Sequence, residues 1–306
     1  MLWNRKDILL PYQSHQPPFL SSLQCLHFYK EHNYKIVKEK GIYPYFHKLY
    51  SGQDVVVNME GKRTIMLGSN NYLALTNHPE VIKAGKDAIE KYGSGCSGSR
   101  FLNGTLDIHE KLESDLALFL HQESAMTFST GFQSNLGIIS AIIGRGDYIV
   151  CDRENHASIY DACKLSYGKM VRYNHNDMED LERKLKEIPN EAGILIVTDG
   201  VFSMSGDICN LPVIVDLAHK YNARVMVDDA HGLGVIGKYG RGTGEYYNME
   251  DKIDIYMGTF SKSLASLGGY MAGKKEVVEY LKHNSRPYIF SASMTPASVC
   301  LSLIHI

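Results

Sequence analysis

An α/β fold built on a seven-stranded, mostly parallel sheet covered by helices is what the sequence predicts, from three observations. Short apolar runs alternate with helix-length segments from about residue 106 to 273. Crossovers of that length join parallel strands, which need helices on both faces. The residues able to do chemistry fall just after the runs, where the carboxyl ends of such strands gather ligands.

Residues 1–27 are aromatic, proline-bearing and poor in charge, without a period, and stand apart as an atypical segment. A lysine-rich helix is predicted over 28–40, stopped by Gly41 ahead of the extended Ile42-Tyr43-Pro44-Tyr45-Phe46. Residues 54–67 alternate as a hairpin that turns at Glu60-Gly61, and Pro79 opens a helix reaching about Tyr92. These parts, 28–92, form an N-terminal arm, and 93–300 form the large domain. Within it a helix over 106–121 puts Leu112, Leu116 and Phe119 on one face. Strands are predicted at 125–129, 148–151, 169–173, 193–199, 224–228, 253–259 and 269–272, with helices between most of them.

Composition narrows the chemistry. Charges nearly balance, 32 basic against 34 acidic, with no long run of either sign, so nucleic acid is not the expected partner. Six scattered cysteines make no CxxC pair, which argues against zinc and against a disulfide framework and fits a reducing cytoplasm. The longest apolar segment, 136–143, is too short to cross a bilayer, and Pro11, Gln13 and Ser14 break any leader-like core near the start. Peripheral membrane association stays open.

The central stretch is 224–269. A strand ends on Asp228-Asp229, His231 follows in the turn, and a second strand runs through Thr259 to Lys262 ahead of Gly268-Gly269. Side chains alternate along a strand, so at most one of the two aspartates faces the crevice. A lysine amine and an opposed carboxylate suit pyridoxal 5'-phosphate (PLP), the lysine forming a Schiff base and the acid partnering the ring nitrogen. Ser129-Thr130-Gly131-Phe132 runs from a strand into a helix; its N-terminus is either a phosphate cradle or a capped βα turn. His156 and Ser203 follow two other strands, where an imidazole can stack on a pyridine ring and a hydroxyl can reach it. GxGxxG occurs at 93–98 and 232–237, but the first follows a helix and the second opens no helix, so a nicotinamide or flavin site is disfavoured.

The stretches 93–105, 129–135, 154–158, 199–204, 227–234, 258–263 and 288–296 resemble the α-oxoamine synthases, PLP-dependent transferases of fold type I, over about residues 41–300. Runs 91–105 and 258–269 are most similar to the serine-using bacterial branch. The resemblance implies Lys262 as the Schiff-base lysine and Asp228 as the ring-nitrogen partner, with His231 and Ser203 at the phenolic oxygen. It implies His156 stacked on the ring, Gly131, Phe132 and Thr259 at the phosphate, and Ser291 and Ala292 reaching the phosphate of a neighbouring subunit, hence a homodimer. Asn71 and His156 would hold the substrate. The activity implied is decarboxylative condensation of L-serine with a long-chain acyl-CoA. The alternatives are a sister enzyme using glycine or alanine with a shorter acyl-CoA, an aminotransferase, and an inactive subunit. The family pattern continues beyond residue 300 into a small domain that supplies an arginine. With 301–306 as a truncated end, the chain is expected to bind PLP but to turn over poorly.

Overall fold

The structure, a computed structural model, describes residues 33–306. Two compact units divide at the hairpin: residues 33–50 with 59–62, and residues 51–58 with 63–306. In the smaller unit helix α1 (Asn33–Glu39) is closed by Gly41 at φ 67°, as its sequence predicts, while residues 28–32 of that prediction lie outside the described ones. Strands β1 (Val56–Met59) and β2 (Lys62–Ile65) turn through Glu60 and Gly61. Both turn residues are at positive φ, 51° and 82°, as a tight two-residue hairpin requires. Helix α2 (Pro79–Tyr92) packs against α11 (Pro296–Leu303) and belongs to the larger unit, whereas the sequence reading placed it in an N-terminal arm.

The larger unit holds all seven predicted strands: β3 (Ser124–Phe128), β4 (Tyr148–Asp152), β5 (Lys169–Tyr173), β6 (Ile194–Asp199), β7 (Arg224–Asp228), β8 (Ile255–Thr259) and β9 (Gly269–Gly273). They form one sheet in the order β3-β9-β8-β7-β6-β4-β5, in which β9 alone is antiparallel to its neighbours. The reason is chain length: residues 260–268 are too few for a helical crossover, so the chain must turn straight back. Lys262 sits on that turn.

Alternation along the strands feeds two cores. Ile196, Val225 and Val227 point to one side, with Leu112 and Leu116 of α3 (Asp107–Phe119), Leu181 and Leu185 of α6 (Met178–Lys186), and Leu211 and Ile214 of α7 (Leu211–Lys220). Leu195, Val197 and Met226 point to the other. They meet Ile138 and Ile139 of α4 (Gly131–Ile142), Ile159 of α5 (Ala157–Leu165), and Val278 and Leu281 of α9 (Lys275–Asn284). The strands are apolar on both faces because both faces are covered. Among the described residues the one-turn helices α8 (Thr243–Tyr246) and α10 (Arg286–Ile289) complete the α-helices.

From β4 the chain steps outward to β5, then returns to β6 and continues to β7 and β8 in the opposite direction. The reversal opens a crevice beyond the carboxyl ends of β4 and β6.

Candidate active site

A pocket of about 220 Å³ occupies that crevice, and its wall holds Gly131, Phe132, His156, Asp228, His231, Thr259 and Lys262 of the predicted set. Residues remote in sequence meet here because each follows a neighbouring strand.

Asp228 ends β7 with its carboxylate aimed into the pocket; Oδ1 accepts from the Ala230 N–H at 3.1 Å and Oδ2 from Asn135 Nδ2 at 2.7 Å. Asp229 turns the opposite way. It is buried and accepts from the Thr243 N–H and Oγ1, each at 2.7 Å, and burial pushes its pKa up to about 6. The glycine-rich loop after β7 makes room for it: a Cβ on Gly232 or Gly242 would lie 1.9 or 2.0 Å from its oxygens. Those glycines serve a carboxylate, and no helix opens at Gly232–Gly237 to bind a dinucleotide; the one-turn helix at Thr243–Tyr246 begins beyond it.

Lys262 is half-buried, with Nζ 2.7 Å from His231 Nε2. Burial lowers its pKa against the pull of Asp228 and Asp199, which favours the nucleophilic neutral amine. Burial, and then the Lys262 charge, pushes His231 down to about 4, so its ring is neutral near pH 7. Its Nδ1 lies 2.6 Å from the Tyr72 hydroxyl, which donates to Asn70 Oδ1 at 3.1 Å. That order assigns the proton to Nδ1 and leaves Nε2 to accept from Lys262.

At the other end Thr130 caps α4 by accepting from the Gln133 N–H at 3.1 Å. The two readings of this turn are thus compatible: the helix is capped, and its first turn lines the pocket. A Cβ on Gly131 would lie 2.9 Å from Thr259 Cβ, and one on Gly269 2.7 Å from Gly131 Cα. Only glycines allow α4, β8 and β9 to converge this closely. Thr259 Oγ1 donates to the Gly268 carbonyl and lies 2.8 Å from Ser261 Oγ, which also lines the pocket.

His156 caps α5, its Nδ1 2.7 Å from Ser158 Oγ, while its N–H donates to Asp199 at 3.2 Å. Ser158 Oγ accepts from Asn135 Nδ2 at 2.8 Å, so one buried amide links the His156 and Asp228 corners. Asp199, opposite Asp228 in the β6–β7 register, is held well above the usual carboxylate range by burial and by the Asp228 charge.

Four predicted residues stand outside the wall. Ser203 is exposed on the turn after β6. Asn71 donates to Thr76 Oγ1 at 2.8 Å, with its own Oδ1 buried and unpartnered. Ser291 accepts from Gln133 Nε2 at 3.1 Å, and the Ala292 carbonyl accepts from Ser129 Oγ. The sequence reading missed Tyr72, Asn135, Ser158, Asp199 and Ser261. Asp199 and Ser261 had a signal, since Asp199 ends β6 and Ser261 lies two residues past β8, at the carboxyl ends of strands; Tyr72 and Asn135 depend on tertiary proximity.

These residues fit PLP: a half-buried amine, a carboxylate with fixed donors, and a helix N-terminus beside two hydroxyls at a glycine where a Cβ would collide. Together with the seven-stranded mixed sheet, that site defines a PLP-dependent transferase of fold type I. The family aminotransferase class I and II matches residues 62–302, and the chain belongs to it. It is 57% identical over 267 residues to a serine palmitoyltransferase of Sphingobacterium spiritivorum, covering 87% of this chain and 67% of that one. An 8-amino-7-oxononanoate synthase of Thermoanaerobacter pseudethanolicus is 47% identical over 285 residues, 93% of this chain and 72% of the relative. A serine palmitoyltransferase solved with PLP superposes with a TM-score of 0.89 at 40% identity, over 94% of this chain and 72% of that one.

Proposed function

We propose that the protein condenses L-serine with a long-chain acyl-CoA such as palmitoyl-CoA, releasing CO2 and CoA and giving 3-oxosphinganine. The observation that carries this reading is the half-buried Lys262 amine, held by a neutral His231 in one pocket with Asp228, in a chain 57% identical to a serine palmitoyltransferase. Bound PLP supplies an electron sink for the carbanion left when serine loses its α-proton. Lys262 would hold the cofactor covalently, and its amine, when free, would take up that proton. Asp228 would keep the ring nitrogen protonated, His231 and Ser203 would serve the phenolic oxygen, and His156 would cover the ring face. Gly131, Phe132 and Thr259 would hold the phosphate, and Asn71 with His156 would orient serine. In the overall balance a C–C bond forms at the thioester carbonyl, the C–S bond breaks, and the serine carboxylate leaves as CO2.

A homodimer is part of this reading. The loops bearing Ser291, Ala292 and residues 98–104 join through the Ser293 N–H and the Gly98 carbonyl, and expose Phe101, Leu102 and Phe290 at 60%, 77% and 75%. An apolar rim of that kind suits a second copy. Among the described residues no helix is long and apolar enough to cross a membrane. Cys96, Cys151, Cys163, Cys209 and Cys300 are free thiols, which a reducing cytoplasm suits. Product analysis with serine, glycine or alanine against long and short acyl-CoAs tests the reading. A product from alanine and a short acyl-CoA, with none from serine, would move the chain to the 8-amino-7-oxononanoate synthase branch.

A further inference from the structure

His175, the second residue after β5, lies outside the pocket wall yet has carboxylates at both ring nitrogens. Its Nδ1 is 2.9 Å from Asp152 Oδ1 and its Nε2 2.9 Å from Asp207 Oδ2, with Glu154 Oε2 at 3.8 Å from Nε2. The Phe202 ring meets its plane edge-on at 4.4 Å between centroids. Ionised carboxylates only accept, so an imidazole bonded to one at each nitrogen must donate twice, which requires the imidazolium.

The two acids belong to different segments. Asp152 ends β4, is fully buried, and also accepts from the N–H groups of Glu154 at 2.8 Å and Asn176 at 2.7 Å. It thereby shapes the short segment leading to His156. Asp207 lies in the turn after β6, which is closed by the Val201–Ile208 bridge and the Phe202 N–H bond to the Asp207 carbonyl. Ser203 sits at the tip of that turn. Asn176 ties its base by donating to the Ile208 carbonyl at 3.2 Å.

We propose that His175 is a positioning residue: as an imidazolium between Asp152 and Asp207 it fixes the segment that presents His156 to the turn that carries Ser203. It deepens the functional reading above and rests on it for the roles of His156 and Ser203. Burial works against the charge, but the bonds to Asp152 and Asp207 outweigh it and His175 titrates above its ordinary value. The clamp is therefore complete below pH ~6.5 and is lost as pH rises through the raised value, when one nitrogen turns a lone pair on a carboxylate. The charged groups facing the ring are Asp152, Asp207 and Glu154.

Hydrogen exchange on the full chain with PLP, read for residues 153–158 and 200–208, tests the clamp. In the parent protein, protection corrected for intrinsic rates falls in both segments together as pH rises through the raised His175 value. His175→Phe keeps an aromatic ring and removes both donors, so both segments exchange about tenfold or more faster with no pH step, while β4 and β6 stay protected. Should that variant fail to fold, Asp207→Asn, which keeps an acceptor and removes one charge, must shift the parent's pH step downward. Unchanged protection in His175→Phe, a pH step that survives it, or an unmoved step in Asp207→Asn overturns the inference. A serine titration of the PLP absorbance on the same samples reports separately on the function. If the parent bound no PLP, the functional reading would fall while the exchange data still decided the clamp.

Discussion

At the scale of single residues, Asp228 and Asp229 show what one step along a strand does. Asp228→Asn keeps the Ala230 bond but no longer stabilises a protonated ring nitrogen, so the expected outcome is retained PLP and α-proton exchange on serine reduced by orders of magnitude, read by deuterium wash-in. Asp229→Asn should leave exchange nearly intact and cost about 1–3 kcal/mol of stability, because an amide N–H must face the Thr243 donors or surrender one. The pH dependence follows with its sign. Asp229 is raised to about 6, so its contribution is fully present below about pH 4 and is lost as pH rises through about 6. Denaturant midpoints from about pH 4 to 7 should fall less steeply in Asp229→Asn than in the parent. Lys262→Ala should abolish covalent PLP attachment at a stability change within about 1 kcal/mol, since a half-buried amine is exchanged for a small side chain. Borohydride reduction and peptide mapping decide it; a label on another lysine would sink the assignment.

Among the elements, the junction of α4, β8 and β9 is the proposed phosphate end. Gly131→Ala must push Cβ against Thr259, 2.9 Å away, where backbone on both sides resists. The expected cost is about 1–3 kcal/mol of stability, with PLP affinity reduced about tenfold or more as α4 shifts from Thr259 and Ser261. Thermal unfolding and a cofactor titration measure the two effects, and an alanine variant matching the parent in both would show that the cradle lies elsewhere. At the same scale the sequence was legible where pattern and period agree. All seven strands and the helices opening at Pro79 and near Asp107 stand within two residues of their predicted limits. The helix over 106–121 is shorter in the structure because His121 takes φ 54° and closes it.

For the whole molecule, the exposed rim of Phe101, Leu102 and Phe290 is the surface on which the dimer proposal depends. Leu102→Asp, at 77% exposure, should leave the isolated fold intact and place a charge in an apolar contact. Sedimentation velocity is expected to show a shift from dimer to monomer, accompanied by weaker PLP binding if Ser291 and Ala292 serve the other copy's phosphate. A variant that remains dimeric with unchanged affinity would remove this rim from the interface.

The sequence by itself determined the strand pattern, the order of acid, histidine and lysine, and that no more than one of Asp228 and Asp229 faces the crevice, because these depend on local period and on where strands stop; the choice of Asp228 came from the family resemblance. Strand order, and with it the crevice between β4 and β6, was decided by tertiary structure. So was the antiparallel return that carries Lys262 to His231. The residues missed at the sequence level have the same origin: Tyr72 reaches His231 from 159 positions away, and Asn135 reaches Asp228 from 93. No periodicity encodes such contacts; they exist because packing two cores against one sheet brings distant strand ends and loops to the same edge.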